Sequence, residues 1–209
     1  ERALDEIKAL QGLRSGKVRI ASSDAFASEF LPRLCETFQR EHSGIVFEVT
    51  VLPTHEVSGA VRTGMADIGL CFSRAPEPGI AVACRVAAPV LALVASGHEL
   101  AQERSVALAR LARYPLALPP PSTAVRQLLD AACSRQGLML APALESNHGK
   151  TLLNFAAQGA AVAVASEIAA RDMVATGALV AVPLSDRGMD LRDIEVQTLV
   201  GRTLPHAAQ

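Results

Sequence analysis

Two periodicities of apolar residues take turns along the chain. Every second residue is apolar in Lys17–Ala21 and in Ile45–Leu52, and this alternation predicts half-buried β-strands. Apolar residues recur at helical spacing from Phe30 to Phe38 and again from Val57 to Val61, which predicts a helix after each strand. The apolar run Asp67–Phe72 predicts a third strand. The beginning of the chain therefore has the order βαβαβ.

The same alternation of strands and helices resumes after a Pro- and Gly-rich stretch at 76–79. Val90–Val94 predicts a buried strand, and Val125 to Cys133 predicts an amphipathic helix that ends before Gly137. The remaining predicted elements are strands at Leu116–Leu118, Val162–Ala165, Leu179–Leu184 and Ile194–Val200, and helices around Leu108–Ala112, through Leu152–Ala156 and after Ser166. Two halves of alternating strands and helices, meeting near Ala88, predict an α/β protein of two packed lobes.

Composition supports a folded domain and excludes two classes of partner. Half of the 209 residues are hydrophobic, which is enough for a sizeable core. Lys and Arg total 20 against 21 Asp and Glu, so this chain lacks the positive field that holds a nucleic-acid backbone. The longest apolar runs, such as Val86–Val94, are far shorter than the roughly 20 residues that cross a bilayer. We expect binding to neither DNA nor a membrane by this chain alone.

The chain begins Glu1-Arg2-Ala3, without Met and without the layout of a signal peptide, so we expect a piece of a longer cytoplasmic protein. Its four cysteines form no C-x-x-C pair, which favours reduced thiols. The five histidines have no metal-ligand spacing, and no catalytic or nucleotide-binding motif is present. We expect neither an enzyme nor a bound cofactor or metal.

Several strings occur in an order that resembles one family. Gly16–Ile20, then Leu31-Pro32, then His42–Ile45 resemble the opening of the regulatory domain of LysR-type transcriptional regulators. Met65–Leu70 and Leu91–Val94 resemble later segments of that domain. Further matches are Gly97–Ala101, Val106–Leu108 with Leu111 and Pro115, and Ala156–Gly159 before an apolar strand. The ordered set covers about 16–200.

The resemblance implies a two-lobed, type 2 periplasmic-binding-protein-like fold that binds a small effector. Residues 1–14 would be the end of a linker helix, with helical spacing from Ala3 to Leu13. Lobe I would comprise 15–88 and 187–209, and lobe II would comprise 89–186. The last predicted strand would thus return to the sheet of the first lobe. DNA would be bound only through an N-terminal winged helix-turn-helix that this sequence lacks.

The resemblance also implies a homodimer or homotetramer, assembled through the helix faces of Phe30–Phe38 and Val125–Cys133. Either helix could instead bury its apolar stripe inside its own lobe. Four positions depart from the family pattern: Ser43 and Glu99 stand where Pro is usual, and Ala161 and Ser166 replace a Gly and a Pro.

Ligands of such sheets bind beyond the carboxyl ends of the strands, where helix N-termini offer N–H donors. Polar residues at strand-to-helix turns are therefore candidates for binding a small, anionic organic effector, although capping, packing or simple solvent exposure is the alternative explanation for each of them. The candidates are Ser22, Ser23, Thr54, His55 and Phe72 from the first lobe, and Ser146 and Asn147 from the second. Arg126, near the start of the clearest helix, could pair with an anion, but we expect it to be a solvated charge.

Three other functions remain open from the sequence. A solute-binding protein of a transporter shares the bilobal architecture and would have an upstream signal sequence. A redox sensor would use Cys71 and Cys84, neither of which has an activating neighbour in sequence. An enzyme on the same fold is the third alternative, and turnover of a substrate would identify it.

Overall fold

The computed structural model describes residues 16–72, 75–159, 161–189 and 193–201. The predicted helix from Ala3 to Leu13 lies outside the described residues. The chain divides into two compact units, Glu1–Arg85 with Glu195–Gln209 and Val86–Ile194. The sequence predicted a first lobe of residues 15–88 and 187–209 and a second lobe of residues 89–186.

The first unit is a five-stranded sheet with helices that follow its strands. The elements in chain order are β1 (Gly16–Ser22), α1 (Asp24–Ala27), α2 (Phe30–Glu41), β2 (Ile45–Val51), α3 (Thr54–Arg62), β3 (Ile68–Phe72) and β4 (Ile80–Ala87), and the chain returns in β10 (Asp193–Leu199). The strand order is β2-β1-β3-β10-β4. The last strand lies between β3 and β4, so its predicted return to the first sheet is confirmed.

Helix α3 packs closely on this sheet because glycine leaves room for it. A Cβ atom at Gly69 of β3 would lie 2.9 Å from Val61 Cγ2 and 3.1 Å from Val57 Cγ1, both on α3. It would also lie 3.3 Å from Gln197 Cβ on β10. Val57 and Val61 are completely buried, so this contact forms part of the core of the first unit.

The second unit is also a five-stranded sheet, with the order β7-β6-β8-β5-β9. Its elements are β5 (Val90–Val94), a 3₁₀ turn (Glu99–Gln102), α4 (Leu108–Leu111), β6 (Leu116–Leu118), α5 (Ala124–Ser134), β7 (Pro142–Glu145), α6 (Gly149–Ala157), β8 (Val162–Ser166), α7 (Glu167–Ala175) and β9 (Val180–Pro183). Strands β7 and β8 run parallel to β6, and β5 runs antiparallel to both β8 and β9. This mixture of strands and helices confirms the predicted α/β class.

Two strands were not predicted, and both lie at sheet edges. β4 is exposed on both faces from Val82 to Ala87, so it shows no alternation of buried and exposed positions. β7 begins with Pro142, a residue that an edge strand tolerates because no neighbour on one side needs its missing N–H.

Candidate functional site

The carboxyl ends of three strands meet at one edge of the first sheet. Strand β1 is parallel to both β2 and β3, and its last residue, Ser22, is level with Val51 and Leu70. The turns that follow β1 and β2 therefore lie along the same edge as the end of β3. The predicted residues of the first unit are those of this edge: Ser22, Ser23, Thr54, His55 and Phe72.

Ser22 and Ser23 are both buried, but only Ser22 has a partner for its hydroxyl group. Ser22 Oγ donates to the carbonyl oxygen of Ser23 over 3.0 Å, while its own carbonyl accepts from the N–H of Leu52. Ser23 is 5% exposed, and its Oγ has no hydrogen-bond partner among the described residues. Ser23 is also the N-cap of α1, yet its side chain forms no capping bond. Capping thus explains neither hydroxyl.

Thr54 and His55 form the first turn of α3. The helix begins at Thr54, which is half-buried, directly after Pro53. The side chain of His55 is 53% exposed, with Nε2 3.5 Å from a carboxylate oxygen of Glu56. Thr54 therefore lies closer to the core at this edge, whereas His55 is largely in solvent.

Phe72 contributes to the core of the first unit. It is 4% exposed, and its ring centroid lies 5.0 Å from that of Phe26, which is completely buried. Packing against Phe26 is sufficient to explain this aromatic residue.

In the second unit, Ser146 and Asn147 connect β7 to α6. Ser146 Oγ accepts from the backbone N–H of His148 over 3.1 Å, so this hydroxyl stabilises the turn. Asn147 is exposed. The first turn of α6 carries Lys150 and no acidic residue, whereas the first turns of α3 and α7 each contain a glutamate. Because a helix N-terminus attracts negative charge, the turn at Asn147 suits an anion.

Arg126 is not a solvated charge, and that expectation is wrong. It is 9% exposed on α5. Its guanidinium donates to Asp130 over 2.9 Å, to Glu145 over 3.3 Å and to the carbonyl of Pro119 over 3.1 Å. The residue therefore joins α5 to β7 within the second unit. Sequence reasoning missed this role because the partner Glu145 lies on another element.

A buried polar chain in the first unit was also missed. Ser58 of α3 donates to Gln197 Oε1 over 2.8 Å, and Gln197 Nε2 donates to Glu195 Oε2 over 3.0 Å. The other carboxylate oxygen of Glu195 accepts from Arg85 Nη2 over 2.6 Å. No sequence signal joins residues so far apart along the chain. The chain of bonds links the helix that begins at Thr54 to the returning strand β10.

The cysteines differ widely in accessibility. Cys71 is completely buried in the core of the first unit, whereas Cys84 is exposed on the edge strand β4. Burial raises the pKa of the Cys35 thiol above its ordinary value. Burial also raises the pKa of Cys133, and the nearby carboxylates of Asp130 and Asp186 add to this effect. Cys35 and Cys133 are therefore protonated and weakly nucleophilic at neutral pH.

The described residues contain neither a metal-binding cluster nor a membrane-spanning helix. No group of three or more His, Cys, Asp or Glu side chains in the described part of the chain is arranged to hold a metal ion. In the same ranges, no helix is both long and apolar enough to cross a membrane.

Comparison with known proteins gives a consistent result. The family model described as the LysR substrate binding domain matches residues 11–209. The HTH-type transcriptional regulator YfeR of Shigella flexneri is 26% identical over 176 residues, which are 81% of this chain and 57% of that protein. The chain thus spans little more than half the length of this relative.

Solved structures share the fold at low sequence identity. The regulatory domain of CcmR from Synechocystis, in complex with 2-PG, has a TM-score of 0.76 at 17% identity, covering 91% of this chain and 90% of that one. The effector binding domain of QuiR, in complex with shikimate, has a TM-score of 0.73 at 16% identity, covering 93% and 92%. Both similarities show the two-lobed fold that was predicted.

Proposed function

The chain belongs to the LysR substrate binding domain family, and from this premise we propose that it senses a small organic anion for a LysR-type transcriptional regulator. Its relatives are transcriptional regulators rather than solute-binding proteins of transporters, which removes the transporter alternative. The two structural neighbours are in complex with shikimate and 2-PG, and these molecules, which belong to those proteins, support the class of ligand.

One observation carries the site: the hydroxyl of Ser23 is buried and unpaired at the carboxyl edge of a parallel sheet. More than about 90% of buried polar groups in native proteins have a hydrogen-bond partner, and leaving one unpaired costs about 1–3 kcal/mol. A ligand oxygen that accepts from Ser23 Oγ would remove this cost. The proposed site therefore begins at Ser23.

Thr54 in the first unit and Asn147 in the second complete the proposed contacts. Thr54 begins the neighbouring helix at the edge that carries Ser23, and Asn147 precedes the helix N-terminus best suited to an anion. A ligand alters a conformational equilibrium only if its affinity differs between the conformations. Ser22, Ser146 and Phe72 support these residues through the contacts described above.

The whole regulator would bind DNA through its N-terminal domain and act in the cytoplasm as a homodimer or homotetramer, without catalysis of its own. Helix α2 and strand β2 support self-association, because only Leu31 of α2 is buried. Helix and strand contact each other through Phe38 and Phe47, whose ring centroids are 5.9 Å apart. Large apolar side chains of this helix and this strand are exposed: Leu34 (52%) on α2, and Val46 (59%), Val49 (41%) and Val51 (50%) on β2.

The second helix face expected at the interface is already covered. The apolar stripe of α5 is buried in its own unit, with Val125 8%, Leu129 0% and Cys133 2% exposed. The proposed interface therefore rests on α2 and β2.

A thermal-shift screen of small carboxylates, phosphate esters and uncharged metabolites tests the proposed function. A ligand at a hundredfold its dissociation constant stabilises the native state by about 2.7 kcal/mol, which is easily measured. We expect at least one acid to raise the melting temperature of the wild type, and we expect a smaller increase for Ser23→Ala. A screen in which only uncharged compounds stabilise the protein would contradict an anionic effector.

A further inference from the structure

A chain of side-chain hydrogen bonds runs from helix α3 to strand β4 through the interior of the first unit. Ser58 of α3 donates to Gln197 of β10 over 2.8 Å, and Gln197 donates to Glu195 over 3.0 Å. Glu195 in turn accepts from Arg85 of β4 over 2.6 Å. Ser58, Gln197 and Glu195 are all buried, and only the guanidinium end of the chain reaches solvent. These bonds connect a helix to the edge strand of the sheet on which it packs.

The last bond of this chain lies where the polypeptide passes between its two units. The first unit ends at Arg85 and resumes at Glu195, so each of these residues is adjacent to a crossing. Strands β4 and β10 are neighbours in the first sheet, and each extends beyond its crossing. At their other end, the N–H of Val200 donates to the carbonyl of Gly79 over 2.9 Å. The Arg85–Glu195 ion pair therefore joins the two crossing strands at the crossings themselves.

Packing alone does not require polar residues in this part of the core. Gln197 lies where the sheet contacts α3, since its Cβ atom would be 3.3 Å from a Cβ atom at Gly69. An apolar side chain would fill such a position without the cost of burying polar groups. Hydrogen bonds in a buried network strengthen one another, so a change at one member alters the others. The network therefore joins α3 and the crossing strands energetically as well as sterically.

The other end of the chain lies close to the proposed effector contact of the first unit. Ser58 follows Thr54 by four residues on α3, which is about one helical turn. Residues at this spacing lie on the same face of a helix. Because the first turn is continuous with the second, a ligand that displaces Thr54 also displaces Ser58 and its bond to Gln197.

Building on the proposed function, we propose that this chain of hydrogen bonds transmits effector binding from the start of α3 to the two crossing strands. Ser58, Gln197, Glu195 and Arg85 are positioning residues, which act through one another and not by touching the effector. Binding at Thr54 shifts α3, and the hydrogen bonds carry this shift to the Arg85–Glu195 ion pair. The state of the crossing strands then depends on whether the effector is bound.

A double-mutant cycle without ligand tests whether the two ends of the chain are coupled. Ser58→Ala removes the first bond and Arg85→Gln removes the ion pair. Their combined effect on the unfolding constant in urea should differ from the product of the single effects by at least about fivefold.

The matched control combines Arg85→Gln with Thr63→Ala, which removes an exposed hydroxyl from the other end of the same helix. These two effects should multiply to within about twofold, as is usual for independent sites. A coupling between Ser58 and Arg85 no larger than that of the control would overturn the proposal.

Hydrogen exchange in the presence of shikimate, malate or citrate tests the transmission itself. An acid that raises the melting temperature of the wild type should slow exchange of the β4 amides at least about threefold, because local opening of an edge strand is sensitive to small changes in stability. Ser58→Ala should still bind this acid in a thermal-shift titration but lose the slowing. Thr63→Ala should keep both.

Each other result has a defined meaning. Slowing that is absent from the wild type, or that persists in Ser58→Ala, would overturn the inference while the proposed function stands. Loss of acid binding in Ser58→Ala alone would also overturn it, because Ser58 would then belong to the binding site. If no acid in a wider panel stabilises the wild type, the proposed function fails and the inference fails with it.

Discussion

Replacing Gln197 by leucine tests whether the returning strand β10 holds helix α3 in place. Gln197 is 4% exposed and connects Ser58, which is 1% exposed, to Glu195, which is 3% exposed. Leucine has a similar size but no polar atoms. The substitution therefore removes two hydrogen bonds and leaves the Ser58 hydroxyl and one Glu195 oxygen buried without this partner.

The expected cost follows from the two bonds. A neutral hydrogen bond contributes about 1 kcal/mol and one to a charged group about 1.5–3 kcal/mol, so Gln197→Leu should destabilise the first unit by about 3 kcal/mol. Ser58→Ala removes only the neutral bond and should cost about 1 kcal/mol. Because both variants remove the same Ser58 bond, the double variant should fall short of their sum by about 1 kcal/mol.

Urea unfolding monitored by circular dichroism measures these differences. Gln127→Leu, at an exposed position of α5, is a matched control that should change the free energy of unfolding by less than about 0.5 kcal/mol. A Gln197→Leu variant as stable as this control, or a double variant with strictly additive effects, would show that Ser58 and Gln197 do not interact.

Three further substitutions have defined outcomes. Asp67→Ala should lower the free energy of unfolding in urea by about 3 kcal/mol, because this 2% exposed carboxylate accepts three hydrogen bonds from Arg19. Glu48→Ala, at an exposed ion pair, should lower it by less than about 1 kcal/mol. Equal losses in the two variants would refute this reasoning. The pKa of the Cys133 thiol is raised in the folded protein, so this thiol ionises at lower pH in the unfolded chain. Its contribution to the free energy of unfolding is therefore fully present below the ordinary thiol pKa of 9.0 and is lost as the pH rises through the folded pKa. Cys133→Ala should weaken this decline, and an unchanged profile of stability against pH would contradict the argument. Leu34→Lys should weaken self-association at least about tenfold, as measured by sedimentation, because it places a charge at a position that the proposed interface would bury. An unchanged dimer affinity would exclude α2 from the interface.

The order of strands and helices was predictable because apolar periodicity reflects burial on one face. The return of β10 to the first sheet followed from its position in the family pattern. Edge strands escape this reasoning: β4 and β7 are exposed along most of their length, so their sequences carry no alternation.

The candidate site was only partly accessible from the sequence. Serine or threonine before a helix predicts a cap at both Ser23 and Thr123, yet only the hydroxyl of Thr123 forms one. Whether such a hydroxyl is paired depends on the local side-chain rotamer and on the neighbouring elements. For the same reason, the pairing of Arg126 with Glu145 could not be predicted, because it depends on how α5 and β7 lie side by side.

Isothermal titration calorimetry with the acid that gives the largest thermal shift tests the central claim most directly. Ser23→Ala and Asn147→Ala should each bind it at least about tenfold more weakly than the wild type, since a hydrogen bond to a charged group contributes about 1.5–3 kcal/mol. The matched controls Ser134→Ala and Asn154→Ala, at exposed positions of α5 and α6, should bind as the wild type does. Wild-type affinity in both Ser23→Ala and Asn147→Ala would contradict the account and place the effector site elsewhere.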